Sequence, residues 1–181
     1  AIGAILDPLE DTFDFKDPSA MVPKLVEAYS LLKNIQDSHW RTIKLKELEQ
    51  LILDCGGIFL EAVSETNSIN PNGSYKATLE VINRGTNIVV IEGIETLSGK
   101  VLLSERRPLK SNEGENIEVQ ISSEKNTPST PYWLNEKGTL GMYKAPKELI
   151  GLPETPAPEQ IVFTLKIGDT PISIKRDVVY K

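Results

Sequence analysis

The sequence predicts a mainly β protein: an N-terminal helical hairpin over residues 1–57, followed by an antiparallel immunoglobulin-like β-sandwich over residues 58–181. Three observations lead there. Apolar residues recur at helical steps in the first third, the apolar period changes to two after Gly57, and turn residues separate about seven short runs with no helical pattern between them. Parallel strands would need a crossover, usually a helix, at each step, so an antiparallel sandwich fits better.

The first helix carries Leu25, Ala28, Tyr29, Leu32 and Ile35 on one stripe. Pro23 is tolerated only in a first turn, so the helix begins near it and Pro18 to Val22 is a lead-in. A second stripe is Leu45, Leu48, Leu51, Ile52 and Cys55, with Asp37 or Ser38 as its cap and Gly56-Gly57 as its left-handed stop. The two helices join through Asn34 to Asp37. Such a pair cannot bury both stripes by itself, so it is expected to dock on the following domain or on a further neighbour.

Beyond Gly57, three segments alternate in the manner of half-buried strands: Tyr75 to Val81, Ile117 to Ile121 and Ile161 to Ile167. Shorter candidates are Ile58 to Val63, Ile88 to Ile94, Val101 to Ser104 and Ile172 to Ile174. Turns are expected at Asn70-Pro71-Asn72-Gly73, Ser98-Gly99 and Gly168-Asp169. Asn72-Gly73-Ser74 also matches the glycosylation acceptor pattern, but reads better as the turn into the next strand. Pro153 to Pro158 reads as a stiff extended connector.

A chain of 181 residues can bury a real core. Its net charge of −6 and scattered lysines give no electrostatic case for nucleic acid or anionic membrane. No apolar run is long enough to span a bilayer, and Ala1 to Leu6 is too short and lacks the basic lead of a signal peptide. The absence of an initial Met, and an end at Val178-Val179-Tyr180-Lys181 that reads as mid-strand, suggest a piece of something larger.

Nucleophilic catalysis through an imidazole would have to use His39, the only histidine, which falls at the start of the second helix and far along it from Cys55. His39 is read as a surface or capping residue and Cys55 as a small core residue; a single cysteine also forbids an internal disulfide. A zinc site needs clustered His or Cys, so no cofactor is expected in this chain. Glu113-Gly114-Glu115 and Asp7, Glu10, Asp11, Asp14 lack calcium-loop spacing, and no Gly-rich loop joins a strand to a helix. The chain reads as a non-enzyme.

The stretch from Thr127 to Glu154 has no clean period yet holds Tyr132, Trp133 and Tyr143. A loop of this length inside a domain is usually functional or packed by its own side chains. These three rings are the candidates for a ligand or interdomain contact: they either stack on sugar rings or plug one end of the sandwich.

Lys44-Leu45-Lys46-Glu47-Leu48, Cys55-Gly56-Gly57, Leu60-Glu61-Ala62 and Leu79 to Arg84, followed by Thr130 to Leu134, Gly141-Met142-Tyr143 and Leu149 to Glu154, together resemble a known pattern. It is that of the middle region of large bacterial proteins of the LmbE-like de-N-acetylase family, relatives of N-acetylglucosaminyl-phosphatidylinositol deacetylase. The strand Leu79 to Arg84 is also similar to immunoglobulin-like accessory domains beside bacterial sugar-processing enzymes. In the family, a separate N-terminal α/β domain with a His-Pro-Asp-Asp-type motif binds the zinc that activates water. This sequence holds no such motif. The resemblance therefore implies a non-catalytic accessory region that partners the catalytic domain of the same polypeptide, with zinc only in that domain and a periplasmic or extracellular location. The alternative is a carbohydrate-binding module that takes a glycan on Tyr132, Trp133 and Tyr143.

Overall fold

A computed structural model describes all residues, 1–181. The helical part holds α1 (Ile2–Asp11), a 3-10 turn at Pro18–Met21, α2 (Val22–Leu32) and α3 (Ser38–Gly56). In α2, Pro23 sits in the first turn, and Leu25, Ala28, Tyr29 and Leu32 are buried along one stripe. At the start of α3 the Asp37 carboxylate accepts the backbone N–H groups of His39 and Trp40 at 3.0 and 3.1 Å. At its end Gly57 adopts φ 62 in the left-handed region.

Two details differ from the sequence reading. Residues 1–57 hold three helices rather than a two-helix hairpin, because Ile2, Ile5, Leu6 and Leu9 place an apolar stripe on α1 that packs against the core. Pro8 lies inside α1 and removes an amide partner from the Ala4 carbonyl, but Ala4 is exposed, so water can take that bond. In α3, Leu53 is buried, whereas Leu51 is 45% exposed on the margin beside α1.

The strands are β1 (Ile58–Ser64), β2 (Ser74–Asn83), β3 (Val89–Thr96), β4 (Val101–Leu103), β5 (Arg107–Leu109), β6 (Glu113–Ser122), β7 (Gln160–Ile167) and β8 (Thr170–Tyr180). They form one mixed sheet in the order β4-β3-β7-β8-β1-β2-β6, with β5 also on β3. Every pairing is antiparallel except that of β1 with β8, where Ala62, Val63 and Ser64 lie beside Val178, Val179 and Tyr180. Residues 170–177 of β8 pair with β7, so this long strand turns the sheet from one face to the other. The sheet curls until β5 meets β6, which nearly closes a barrel.

Alternation is cleanest in β2, where Tyr75, Ala77, Leu79, Val81 and Asn83 all point inward. In β3 it breaks at Glu92-Gly93, where the register against β7 shifts at a bulge. β8 runs well past the expected Ile172 to Ile174. β5 escaped the sequence reading because Arg107-Pro108-Leu109 has no alternation and contains a proline; the sheet tolerates Pro108 because β5 lies at its margin, paired only with β3. All the buried apolar residues but Tyr132 and Val162 form one cluster of 31 that includes side chains of α2 and α3, so helices and sheet share a core.

A polar clamp joins the two parts. Asn83, fully buried, donates from Nδ2 to the carbonyls of Asn87 (3.1 Å) and Leu109 (3.2 Å) and accepts the Gly85 N–H at 3.1 Å. Arg84 N–H donates to Gly57 O at 2.8 Å, and the Cα of Gly85 is pressed against the Gly56 carbonyl. Asn87 Nδ2 donates to Ser19 O at 2.9 Å, and the hydroxyls of Ser19 and Thr86 share a bond at 2.9 Å. The β2–β3 turn is thus pinned to the end of α3 and to the turn before α2.

Candidate functional site

The long connection between β6 and β7 contains 3-10 turns at Tyr132–Leu134 and Lys147–Leu149 and a single bridge between Thr139 and Met142. Tyr132 is buried. Its backbone N–H donates to Thr155 Oγ1 at 2.9 Å and its hydroxyl donates to Leu152 O at 3.1 Å, which ties the start of the loop to its end. Trp133, half-buried, stands edge-on to Tyr132 with ring centroids 4.9 Å apart. Tyr143 is 68% exposed. Tyr132 and Trp133 therefore do not present one flat face, since their rings meet at close to a right angle, and of the three candidate rings Tyr143 is the exposed one.

His39 is exposed at the first turn of α3, edge-on to the Trp40 ring. Cys55 is buried at the far end of the same helix, where burial and then the Asp54 charge push its thiol pKa up. No three His, Cys, Asp or Glu side chains converge on one point.

A concavity of about 590 Å³ lies at the end of the sheet where four segments meet. They are the β1–β2 loop, the chain leaving β6, the connector at Thr155 to Glu159 and the last residues of β8. Backbone bonds fix its walls: Asn72 N–H to Lys125 O at 2.8 Å and Ser123 N–H to Gly73 O at 2.9 Å. Ser123 Oγ donates to Glu159 Oε1 at 2.5 Å. Tyr75, the first inward residue of β2, is 4% exposed, and its hydroxyl has no hydrogen-bond partner. Burial first, and the Glu159 charge second, push its pKa up to about 12. Sequence reading counted Tyr75 as core and passed over Ser123 and Glu159. The available signal was an inward tyrosine at the very start of a strand, which places its polar tip near the sheet's end.

A second, apolar groove of about 380 Å³ runs along α1, lined by Leu6, Leu9, Phe13, Met21 and Leu51. Beside it Phe15, 90% exposed, stands edge-on to Phe13 at 5.0 Å.

Tyr29 behaves like Tyr75. Burial, then the charge and hydrogen bond of Glu49, raise its pKa to about 12. In the unfolded chain both phenols lose their protons near pH 10. Between pH 10 and 12 the unfolded state therefore binds fewer protons than the folded state, and stability falls as pH rises. The expected loss is up to about 2 kcal/mol per tyrosine after allowance for solvent screening, and it is absent below pH 10. Urea midpoints measured from pH 9 to 12 check this; Tyr75→Phe should flatten the slope, and an unchanged slope would remove Tyr75 from the account.

No protein-family model matches the chain, and no curated protein matches it in sequence. Among solved structures, the alkylpurine DNA glycosylase AlkC of Pseudomonas fluorescens, bound to DNA containing an abasic-site analogue, is 11% identical with a TM-score of 0.27; the match covers 97% of this chain and 50% of that one. A β-glucosidase of Erythrobacter marinus, EmGH1, is 10% identical at TM-score 0.26, covering 67% of this chain and 15% of that one. A β-glucosidase of Kluyveromyces marxianus is 13% identical at TM-score 0.20, covering 67% and 14%. The chain spans at most half the length of these structures. Likeness at this level carries neither fold nor function across.

Proposed function

We propose that this chain is a non-catalytic accessory region that supports a neighbouring domain of the same polypeptide. The observation that carries the reading is the apolar groove along α1, with Phe13 and Phe15 beside it: a surface of this kind usually meets another protein surface. The β part reads as an immunoglobulin-like sandwich. Its support is the strand order, β1-β2-β6 on one side and β4-β3-β7-β8 on the other, with β8 running parallel to β1 where the two sides join. The sequence resemblance supplies the neighbour in this reading, a zinc-dependent sugar de-N-acetylase domain of an exported bacterial protein.

A second reading, glycan stacking on the long loop, draws on the exposed Tyr143 ring. Tyr132 serves there by holding the loop rather than by offering its face.

The mass of the native protein, detected in its source cells with an antibody to this chain, tests the accessory role. A species several times larger than 20.1 kDa is expected; a species of 20.1 kDa would end the reading.

A further inference from the structure

We propose that the concavity at the end of the sheet is a binding site for a neutral, hydroxyl-rich saccharide, read by Tyr75, Ser123 and Glu159. This goes beyond the accessory role and does not depend on it. Ligand sites of this size are mostly apolar. Here only 5 of 22 lining residues are hydrophobic, but Pro71, Pro128, Pro156 and Pro158 add apolar surface, so the groove mixes hydroxyl and amide groups with apolar faces, as a sugar ring does. Its charged side chains are one lysine, Lys125, and one carboxylate, Glu159, which offset each other. That balance disfavours phosphate or a nucleic-acid backbone, which would call for clustered cations.

Two groups ask for hydroxyl partners. A carboxylate has about four lone-pair positions. In the protein's hydrogen bonds, Glu159 uses one, for the Ser123 hydroxyl, and can accept further from neighbouring sugar hydroxyls. The Tyr75 hydroxyl is buried at the groove wall with no partner in the protein, a situation that costs about 1–3 kcal/mol and calls for a reason. A ligand oxygen supplies one once the groove wall shifts enough to uncover the hydroxyl. At the mouth, the Tyr180 ring is 58% exposed and offers a flat apolar face to the C–H side of a pyranose. The groove is built from Ser123, Glu159, Tyr75 and Tyr180 and does not use Trp133 or Tyr143.

The test is titration of the isotopically labelled chain with cellotriose, mannotriose and chitotriose, each to about 10 mM, followed by amide shifts in NMR. At least one trisaccharide should bind saturably and move Ser123, Glu159 and Tyr180. Tyr75→Phe keeps the ring and deletes the unpartnered hydroxyl, so it should fold; Glu159→Gln keeps the shape. Weakening of about tenfold by either variant, with Trp133→Ala unchanged, supports the proposal. No saturable binding by any of the three overturns it. So does binding that survives both Tyr75→Phe and Glu159→Gln, or binding abolished by Trp133→Ala.

Discussion

Gly85→Ala is expected to destabilise the protein by about 3 kcal/mol, the upper end of what overpacking usually costs. The added methyl would overlap the carbonyl oxygen of Gly56, and its carbon, at 3.0 Å, would be in the way as well. Both are backbone atoms, so no side chain can swing aside. Relief would have to come from moving the β2–β3 turn off the end of α3. That movement would stretch the Arg84 N–H to Gly57 O bond and the Asn87 and Thr86 bonds to Ser19. In a chain of this length the loss should lower Tm by roughly 6–12 °C. Gly99→Ala is the control: Gly99 sits at φ 90 with open space around it, so it should cost only local strain of about 1 kcal/mol. Equal losses at the two positions would mean that the clamp is looser than described.

Phe163→Ala should cost about 4 kcal/mol. The ring is fully buried in the middle of β7, between Ile94 of β3 and Ile174 of β8. Both flanking strands are held to β7 by ladder bonds, so the backbone cannot close on the space left behind. Transfer and cavity terms therefore both apply. Phe163→Leu fills most of that volume and should cost about 1–2 kcal/mol. Chemical denaturation of the three proteins gives the comparison, and a loss below about 1 kcal/mol for the alanine variant would contradict the packing described here.

How much of this could be read from residue order follows from how local each signal is. β2, β6 and β7 declare themselves because a half-buried strand writes its two faces into alternate letters, and Tyr75-Lys76-Ala77-Thr78-Leu79 is such a text. α2 and α3 declare their ends because Pro23, Asp37 and Gly57 have few other places to be. α1 holds Pro8, a residue that breaks helices in a core but is tolerated where the orphaned carbonyl is wet. β5 was lost because a three-residue edge segment has no room for a period. The pairing of β1 with β8 has no local signature at all. The candidate groove was the least legible feature: its lining comes from four separated stretches, rich in Ser, Thr and Asn that sequence reading assigns to turns. Tyr75 looked like any other inward apolar position, since only the fold shows that its hydroxyl ends without a partner. The aromatic loop was conspicuous by composition, but composition could not say that Tyr132 would turn inward and Tyr143 outward.

The parallel seam between β1 and β8 also has a mechanical meaning. Tension applied between residue 57 and residue 181 draws β1 by its N-terminal end and β8 by its C-terminal end. Because the two strands run in the same direction, they would have to slide lengthwise past one another, and every bond between Ala62–Ser64 and Val178–Tyr180 takes the load together. A hairpin pulled at its open end instead yields one bond at a time. The ion pair of Lys181 with Glu61, at 2.6 Å, lies across the same seam. Strung between neighbours in a longer polypeptide, this domain would resist stretching through three residue pairs whose partners stand at opposite ends of the β part.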